Sequence, residues 1–421
     1  MTSIPSSDLI DATGKQALST PAVGSSANDL VTPCTKPEPR HHRPPTADGV
    51  TIAVALSGGG FRATLAGLGV LQLLADCGLL GNVRYSSSVS GGSVANGLFA
   101  HHYDQLAAEG FSGDAFDRIV VAPLIERITN TSFVRTMFTN AWRIVGPKTR
   151  VNLLADTLAN WFYGEQPLAN TPEQCRFVFN AANLTTGVRF TLEREIVGDY
   201  VSGHVATNTT NLRLADAVAA SAAFPIGFNP MHVKGLNLPC GEDRPVKLQD
   251  GGVYDNMGLE AIDGLDNDEL IVAINAGGLF YVRKGYGWIP LIRDFLRINS
   301  ILYRQSTALR RREMVERFRA WETADKEGSA KPPWARRGVL FGLTTTFDDN
   351  HPLDPEWATH RPEHPELTQT LARVKTSFNR FHKDTCQKLV YRGWWLTGAT
   401  LATYHRTALP PQLPPWRPSL S

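Results

Sequence analysis

The first sustained apolar run of the chain is Val50-Thr-Ile-Ala-Val-Ala-Leu56, which has strand length and stops at Ser57 and three glycines. A continuous β-branched run of this kind predicts a strand buried on both faces, as in a parallel sheet. Beyond the glycines, Ala63, Ala66, Leu68, Val70, Leu71, Leu73 and Leu74 recur near helical spacing up to Cys77-Gly78, where the glycine suits a C-terminal cap. A second unit follows: Val83 to Ser88 as a short strand, Val89-Ser-Gly-Gly92 as a turn, and Ser93 to about Tyr103 as a helix. Successive β-turn-α units predict an α/β fold with a mostly parallel central sheet and helices on both faces.

Residues 104–170 read as mostly helical, with Phe116, Phe133, Phe138, Trp142, Trp161 and Phe162 among apolar positions, enough for a lid or a helical layer. Strand patterns return at Arg176 to Ala181 and Arg189 to Glu193. A helix from Leu214 to Ala223 must end before Phe224-Pro225, because the residue preceding a proline is pushed out of the α region. A hairpin-like stretch from His232 to Leu248 leads into Asp250-Gly-Gly252, and Glu269 to Asn275 is another buried strand, so the sheet is expected to run from 50 to 275. Outside it, the Ser/Thr/Pro-rich residues 1–48, ending in KPEPRHHRPP, predict a disordered tail with His41 and His42 solvated. The expected division is 1–48 tail, 49–280 α/β domain, 281–405 a basic, mainly helical region completing that domain, and 406–421 a Pro-rich tail.

Length and composition narrow this picture. A chain of 421 residues, 42% hydrophobic and 19% charged, is neither wholly disordered nor fibrous and has room for a large α/β unit. Lys+Arg 42 against Asp+Glu 40 leaves no global field for nucleic acid. The basicity is local: residues 283–337 hold 14 Lys/Arg against 6 Asp/Glu, a net +8, interleaved with Ile292, Phe295, Leu296, Ile298, Ile301, Leu302 and Leu309. Amphipathic helices are expected there, either resting on anionic lipid headgroups or, as the favoured reading, packed on the sheet with a solvated face. Five scattered cysteines without a C-x-x-C pair indicate neither a disulfide framework nor a thiolate zinc site, which suits a reducing compartment. No stretch reaches the roughly 18 apolar residues of a membrane-spanning helix, and the first 30 residues lack a signal-peptide pattern. A cytoplasmic protein is expected, with 283–337 as its candidate for peripheral membrane contact.

Ser90 stands in Ser-Val-Ser-Gly-Gly at a strand-to-helix junction, the setting of a nucleophile elbow, with Ser88 where G-x-S-x-G has its first glycine. Gly58, Gly59 and Gly60 occupy the equivalent junction one unit earlier, where amides free of side-chain bulk can converge as an oxyanion hole. Gly58-x-Gly60-x-x-Ala63 also fits a dinucleotide fingerprint, which keeps a nucleotide-binding oxidoreductase as an alternative. Its ribose-binding acid is missing, because the second strand ends in Ser86-Ser-Ser88 and Asp76 lies at the end of the helix. Asp250, before two glycines at a strand end, is a candidate base for a Ser-Asp dyad. In a Ser-His-Asp triad of hydrolase order the histidine would be His351, His360, His364, His382 or His405, each expected at the surface. A third reading is a catalytically inactive lipid-binding protein that uses the basic region.

Together VALSGGGFRATLAGLGVLQLL, SSSVSGGSVANGL, AVAASAAFPIGFNP and LQDGGVYDNMGLEAI resemble the patatin-like phospholipase family in order and spacing, and GGGFRA is similar to cytosolic phospholipases. The resemblance implies a three-layer α/β/α fold, with 49–280 as catalytic domain, and hydrolysis of phospholipid or lysophospholipid esters without metal or cofactor. It implies Ser90 as nucleophile, Asp250 as base, the amides of Gly58, Gly59 and Gly60 as oxyanion hole, and Arg62 as a support of the loop or a contact to a lipid phosphate. Ala63 and Ser88 depart from the family's glycines, and both are small.

Overall fold

The computed structural model describes residue 34 and residues 43–412, apart from 140–148, 226, 242–244, 267, 278–289, 349–351 and 362. The expectations for Trp142, His41, His42, His351 and most of the two tails lie outside the described residues.

Alternate residues of a strand point to opposite faces, and β1 (Ile52–Leu56) divides its side chains between two cores. Ile52, Val54 and Leu56 face one layer, made by helices α1 (Gly60–Asp76) and α2 (Gly91–Ala108), whereas Ala53 and Ala55 face the other, with Met314 and Phe318. Those two belong to the long helix α4 (Pro290–Glu327), which follows α3 (Leu214–Ser221) in the chain and precedes α5 (Lys383–Tyr404). The arrangement is the predicted three-layer sandwich. Gly78, at φ +67°, supplies the C-terminal glycine expected after α1.

The sheet centre is parallel and its order is β10-β9-β1-β2-β3, formed by Arg337–Gly342, Leu270–Asn275, Ile52–Leu56, Val83–Ser88 and Arg176–Asn183. Beyond β3, the strands β4 (Arg189–Leu192), β5 (Ile196–Asp199) and β6 (Gly203–Ala206) extend it antiparallel. The hairpin of β7 (Met231–Val233) and β8 (Val246–Asp250) also joins β3, with Asp250 opposite Ala181.

Three expectations need correction. The sheet does not end at 275: β10 pairs with β9 along its length, and its short apolar run was masked by the basic segment around it. Helix α5, from the region expected to complete the domain, lies in its core. Trp394 and Trp395 are buried, and α5 lies so close to α1 that a Cβ on Gly69 would sit 2.1 Å from the Val390 carbonyl oxygen, and one on Gly393 2.1 Å from that of Ala66. Residues 406–408 form a 3-10 turn, with Ala408 and Leu409 buried, so the chain stays packed past 405.

Cysteine chemistry differs as well. Cys34 and Cys240, 206 positions apart, form a disulfide with Cα atoms 5.7 Å apart, within the usual range. The turn between β5 and β6 brings them together, since Cys34 N–H donates to the Tyr200 carbonyl and Cys240 N–H to that of Ser202, each at 3.0 Å. That bond removes the cysteine argument for a reducing compartment. Cys77, Cys175 and Cys386 are buried free thiols. Among the described residues, no helix is long and apolar enough to cross a membrane.

Candidate active site

Ser90 lies between the end of β2 and the start of α2 at φ 52°, ψ −119°, a left-handed conformation that a serine adopts only where the surroundings enforce it. The enforcement is visible. Ser90 N–H donates to both the carbonyl and the Oγ of Ser221 at 3.1 Å, and Ser221 Oγ in turn donates to the Asn180 carbonyl at 2.6 Å. Ser93 Oγ bridges Ser221 Oγ (2.8 Å) and Ser88 Oγ (3.0 Å), and Asn96 Nδ2 donates to Ser88 Oγ at 2.9 Å. Ser88 thus occupies the position of the absent glycine by turning its hydroxyl into this network. Gly91 has no such latitude: a Cβ there would lie 2.0 Å from the Gly60 carbonyl oxygen, so the elbow and the glycine loop touch through bare backbone.

Asp250 ends β8, buried, and its Oδ1 accepts the Gly252 N–H at 2.8 Å. Ser90 lines the same cavity as this carboxylate, and its nearby hydroxyl favours the ionised form. Burial pushes the Asp250 carboxyl up from 3.8 to about 6, against the opposing effect of the nearby Ser90 hydroxyl and the bond from Gly252. A carboxylate in this state is ionised near neutral pH and basic enough to accept a proton from a neighbouring hydroxyl.

The glycine loop divides by role. Gly58 N–H donates to the Asn256 carbonyl at 3.0 Å and is engaged in holding the loop. Gly59 (φ 149°) and Gly60 (φ 58°) begin α1, and their N–H groups have no acceptor among the described residues, as expected of a helix N-terminus. Both line the cavity that contains Ser90 and Asp250. Two helix N-termini, those of α1 and α2, therefore converge on one point and favour negative charge there. Arg62 is turned away from the cavity and buried. Its Nε and Nη2 donate to the Ala276 carbonyl (3.0 and 2.7 Å) and its Nη1 to that of Val374 (2.9 Å), joining the glycine loop to the end of β9. Of the two expectations for Arg62, this geometry fits loop support and not contact with a lipid phosphate.

The cavity has a volume of about 580 Å³ and is walled by Phe224, Pro225, Val253, Leu302, Tyr303 and Phe378. Phe224, Val253 and Leu302 are 47%, 43% and 63% exposed, so its rim is apolar and faces solvent. None of the candidate histidines is among its described lining. His364 pairs with Glu366, and His382 is exposed at the start of α5. His405 is a correction, since it is buried rather than at the surface, with Nε2 3.1 Å from the Gly338 carbonyl oxygen and its ring against Trp321. The dinucleotide reading also loses its last acid: Asp76 accepts the Trp394 indole N–H at 2.7 Å and the Gln72 amide at 3.0 Å. Among the described residues no three His, Cys, Asp or Glu are gathered as metal ligands.

Ser221, Asn256 and Tyr303 belong to this site and were not singled out in the sequence. Ser221 carried a signal, as the one hydroxyl in an alanine-rich helix just before a Phe-Pro pair. Tyr303 had none, being one aromatic in a long amphipathic helix.

No curated protein sequence matches the chain. Its fold is similar to human GIVD cytosolic phospholipase A2, at 14% identity and a TM-score of 0.47, over 85% of this chain and 60% of that one. It is similar also to VipD from Legionella pneumophila, at 16% identity and a TM-score of 0.34, over 85% of this chain and 68% of that one. The chain thus spans about 60% of the length of the human enzyme. The family described as patatin-like phospholipase matches residues 54–263, from β1 through the glycine loop and the Ser90 elbow to the segment after Asp250. Residues 54–263 of the chain are thus a patatin-like phospholipase domain.

Proposed function

We propose that the protein is a lipid acyl hydrolase of phospholipase A or lysophospholipase type, working through a Ser90-Asp250 dyad. The observation that carries this reading is that the strained Ser90 and the buried Asp250 carboxylate line one apolar-walled cavity with the glycine loop. Ser90 Oγ attacks the ester carbonyl while Asp250 takes its proton. The tetrahedral oxyanion is received by the N–H groups of Gly59 and Gly60, and Gly58 is removed from that role because its N–H is engaged. Collapse of the intermediate expels the alcohol, which regains the proton from Asp250. Water, activated by Asp250, then cleaves the acyl-enzyme to release fatty acid and regenerate Ser90. The apolar walls suit an acyl chain, and the exposed Phe224, Val253 and Leu302 form a rim able to enter a lipid surface.

Fatty-acid release from phosphatidylcholine vesicles across pH tests the proposal. With the Asp250 carboxyl at about 6, the base is ionised above that pH and protonated below it. Hence kcat/KM should hold steady above pH 6 and fall about tenfold for each pH unit lower. A profile flat down to pH 4.5 would mean that another group accepts the proton.

The glycine loop gives a second expected result. Gly59→Val adds a branched side chain at φ 149°, where even a Cβ would lie 2.7 Å from the Ala276 carbonyl oxygen. The loop must shift and its amides leave the oxyanion, lowering kcat about 10²-fold or more. Wild-type kcat in a folded Gly59→Val variant would place the oxyanion elsewhere.

A further inference from the structure

A second cavity, of about 590 Å³, opens at the carboxyl ends of β9 and β10, where Gly277, Gly342 and Thr345 border it. The Ser90 elbow and the glycine loop stand at the carboxyl ends of β2 and β1 in the same parallel sheet, the edge at which open α/β sheets take ligands. Helix α4 closes the cavity with Arg304, Arg311, Arg312 and Arg319, which helical spacing keeps on one face. The acid in this wall, Glu316, is already paired with Arg319 at 2.9 Å. Arg311 and Arg312 have no carboxylate within ion-pair distance among the described residues.

Two further arginines of α4 show that this is not simply a basic helix. Arg310 is held by Glu260 at 3.0 Å and lies 4.0 Å from Asp255, and Arg317 is bound to Asp263 and Glu313. Through Asp255, Glu260 and Asp263 these two reach acids of the segment after Asp250, as the favoured reading of a packed, solvated helix requires. Arg311 and Arg312 point instead into the cavity.

Its partition with the Ser90 cavity is made by Asn256 and Tyr303, which line both. Asn256 is 3% exposed, yet its Nδ2 has no hydrogen-bond partner among the described residues. That nitrogen faces the cavity border at Gly277: a Cβ placed there would lie 3.3 Å from it and 3.6 Å from the Tyr303 hydroxyl. A buried donor without an acceptor is costly, and here it shares the cavity with the Tyr303 hydroxyl and the guanidinium groups of Arg311 and Arg312. The set is rich in donors and positive, which matches the oxygens of a phosphate.

We infer that this cavity binds a phosphate group. Two sources share that chemistry: the head-group phosphate of a lipid whose ester reaches Ser90 next door, or a free phosphate. The head-group source rests on the proposed hydrolase function, whereas the site itself does not.

The test is binding of inorganic phosphate to the full chain by calorimetry, in the native protein, in Arg311→Gln/Arg312→Gln, and in Lys388→Gln as a charge control on α5. Binding at least about tenfold weaker in the double variant and unchanged in the control is the expected result. Equal binding by the double variant, or equal weakening by the control, overturns the site. Circular dichroism checks the fold, which the exposed Arg311 and Arg312 leave intact on replacement. Kinetics then separate the sources. If the cavity takes the head group, the double variant raises KM for phosphatidylcholine vesicles containing phosphatidic acid about tenfold relative to KM for p-nitrophenyl butyrate, and phosphate competes with the vesicles. If it takes free phosphate, that ratio stays constant, while the double variant still loses phosphate binding. Native protein that binds phosphate but hydrolyses no ester would sink the hydrolase reading and leave the site standing. Hydrolysis with phosphate binding indifferent to the arginines would do the reverse.

Discussion

Ser90→Ala should abolish fatty-acid release from phospholipid vesicles, a loss on the order of 10⁶-fold, the scale for removing the nucleophile from a catalytic unit. The fold should survive. Ser90 is 8% exposed, and the contacts that set its backbone run through its N–H to Ser221, which alanine retains. Alanine at φ 52° carries much the same backbone strain as serine, so the variant should melt close to the wild type. Vesicle hydrolysis measured beside a thermal melt separates the outcomes. A well-folded variant with full turnover would remove Ser90 from the chemistry, and a collapsed melting temperature would make it a structural residue.

Asp250→Asn should cost about 10⁴-fold in kcat, because the amide keeps the volume of the carboxylate and can still accept the Gly252 N–H but cannot take a proton. Stability should move the other way. Folding raises the Asp250 carboxyl from 3.8 to about 6, so above pH 6 the ionised form is disfavoured in the folded state by about 3 kcal/mol. The sign follows from proton uptake: between these two values the folded chain binds more protons than the unfolded one, and wild-type stability falls as pH rises. Asparagine carries no charge and escapes this cost. The variant should therefore be the more stable protein at pH 7, and the two should converge below about pH 4. Denaturant melts at both pH values check this, and a variant both inactive and destabilised at pH 7 would mean that Asp250 is chiefly a structural anchor.

Some of this architecture is readable in the chain and some is not, for physical reasons. The units β1-loop-α1 and β2-turn-α2 are legible because each pairs a run of strand length, continuously apolar in β1 and ending in three serines in β2, with small residues at a turn that tolerates nothing larger. Gly91, against the Gly60 carbonyl, is such a residue. Asp250 is legible as a carboxylate before two glycines, but its basicity is not, since that comes from burial supplied by distant elements. Ser221 holds the Ser90 amide across 131 positions and Asn180 the Ser88 carbonyl across 92, relations that no local pattern records. The C-terminal contribution was least visible. The sequence Tyr391-Arg-Gly-Trp-Trp-Leu396 shows aromatic bulk, yet its place in the core depends on two glycines, Gly69 and Gly393, that let α1 and α5 meet backbone to backbone. His405 illustrates the same point, because its burial follows from the partners Gly338 and Trp321 rather than from its polar neighbours in sequence.

The central claim is that Ser90, activated by Asp250, forms the acyl-enzyme. The most direct measurement is reaction of the full chain with a fluorophosphonate, followed by peptide mapping of the adduct. The account predicts one phosphonylated residue, Ser90, with loss of esterase activity in proportion to labelling, and labelling that slows sharply in Asp250→Asn. An adduct on another side chain, or a fully active protein that resists the reagent, would contradict it.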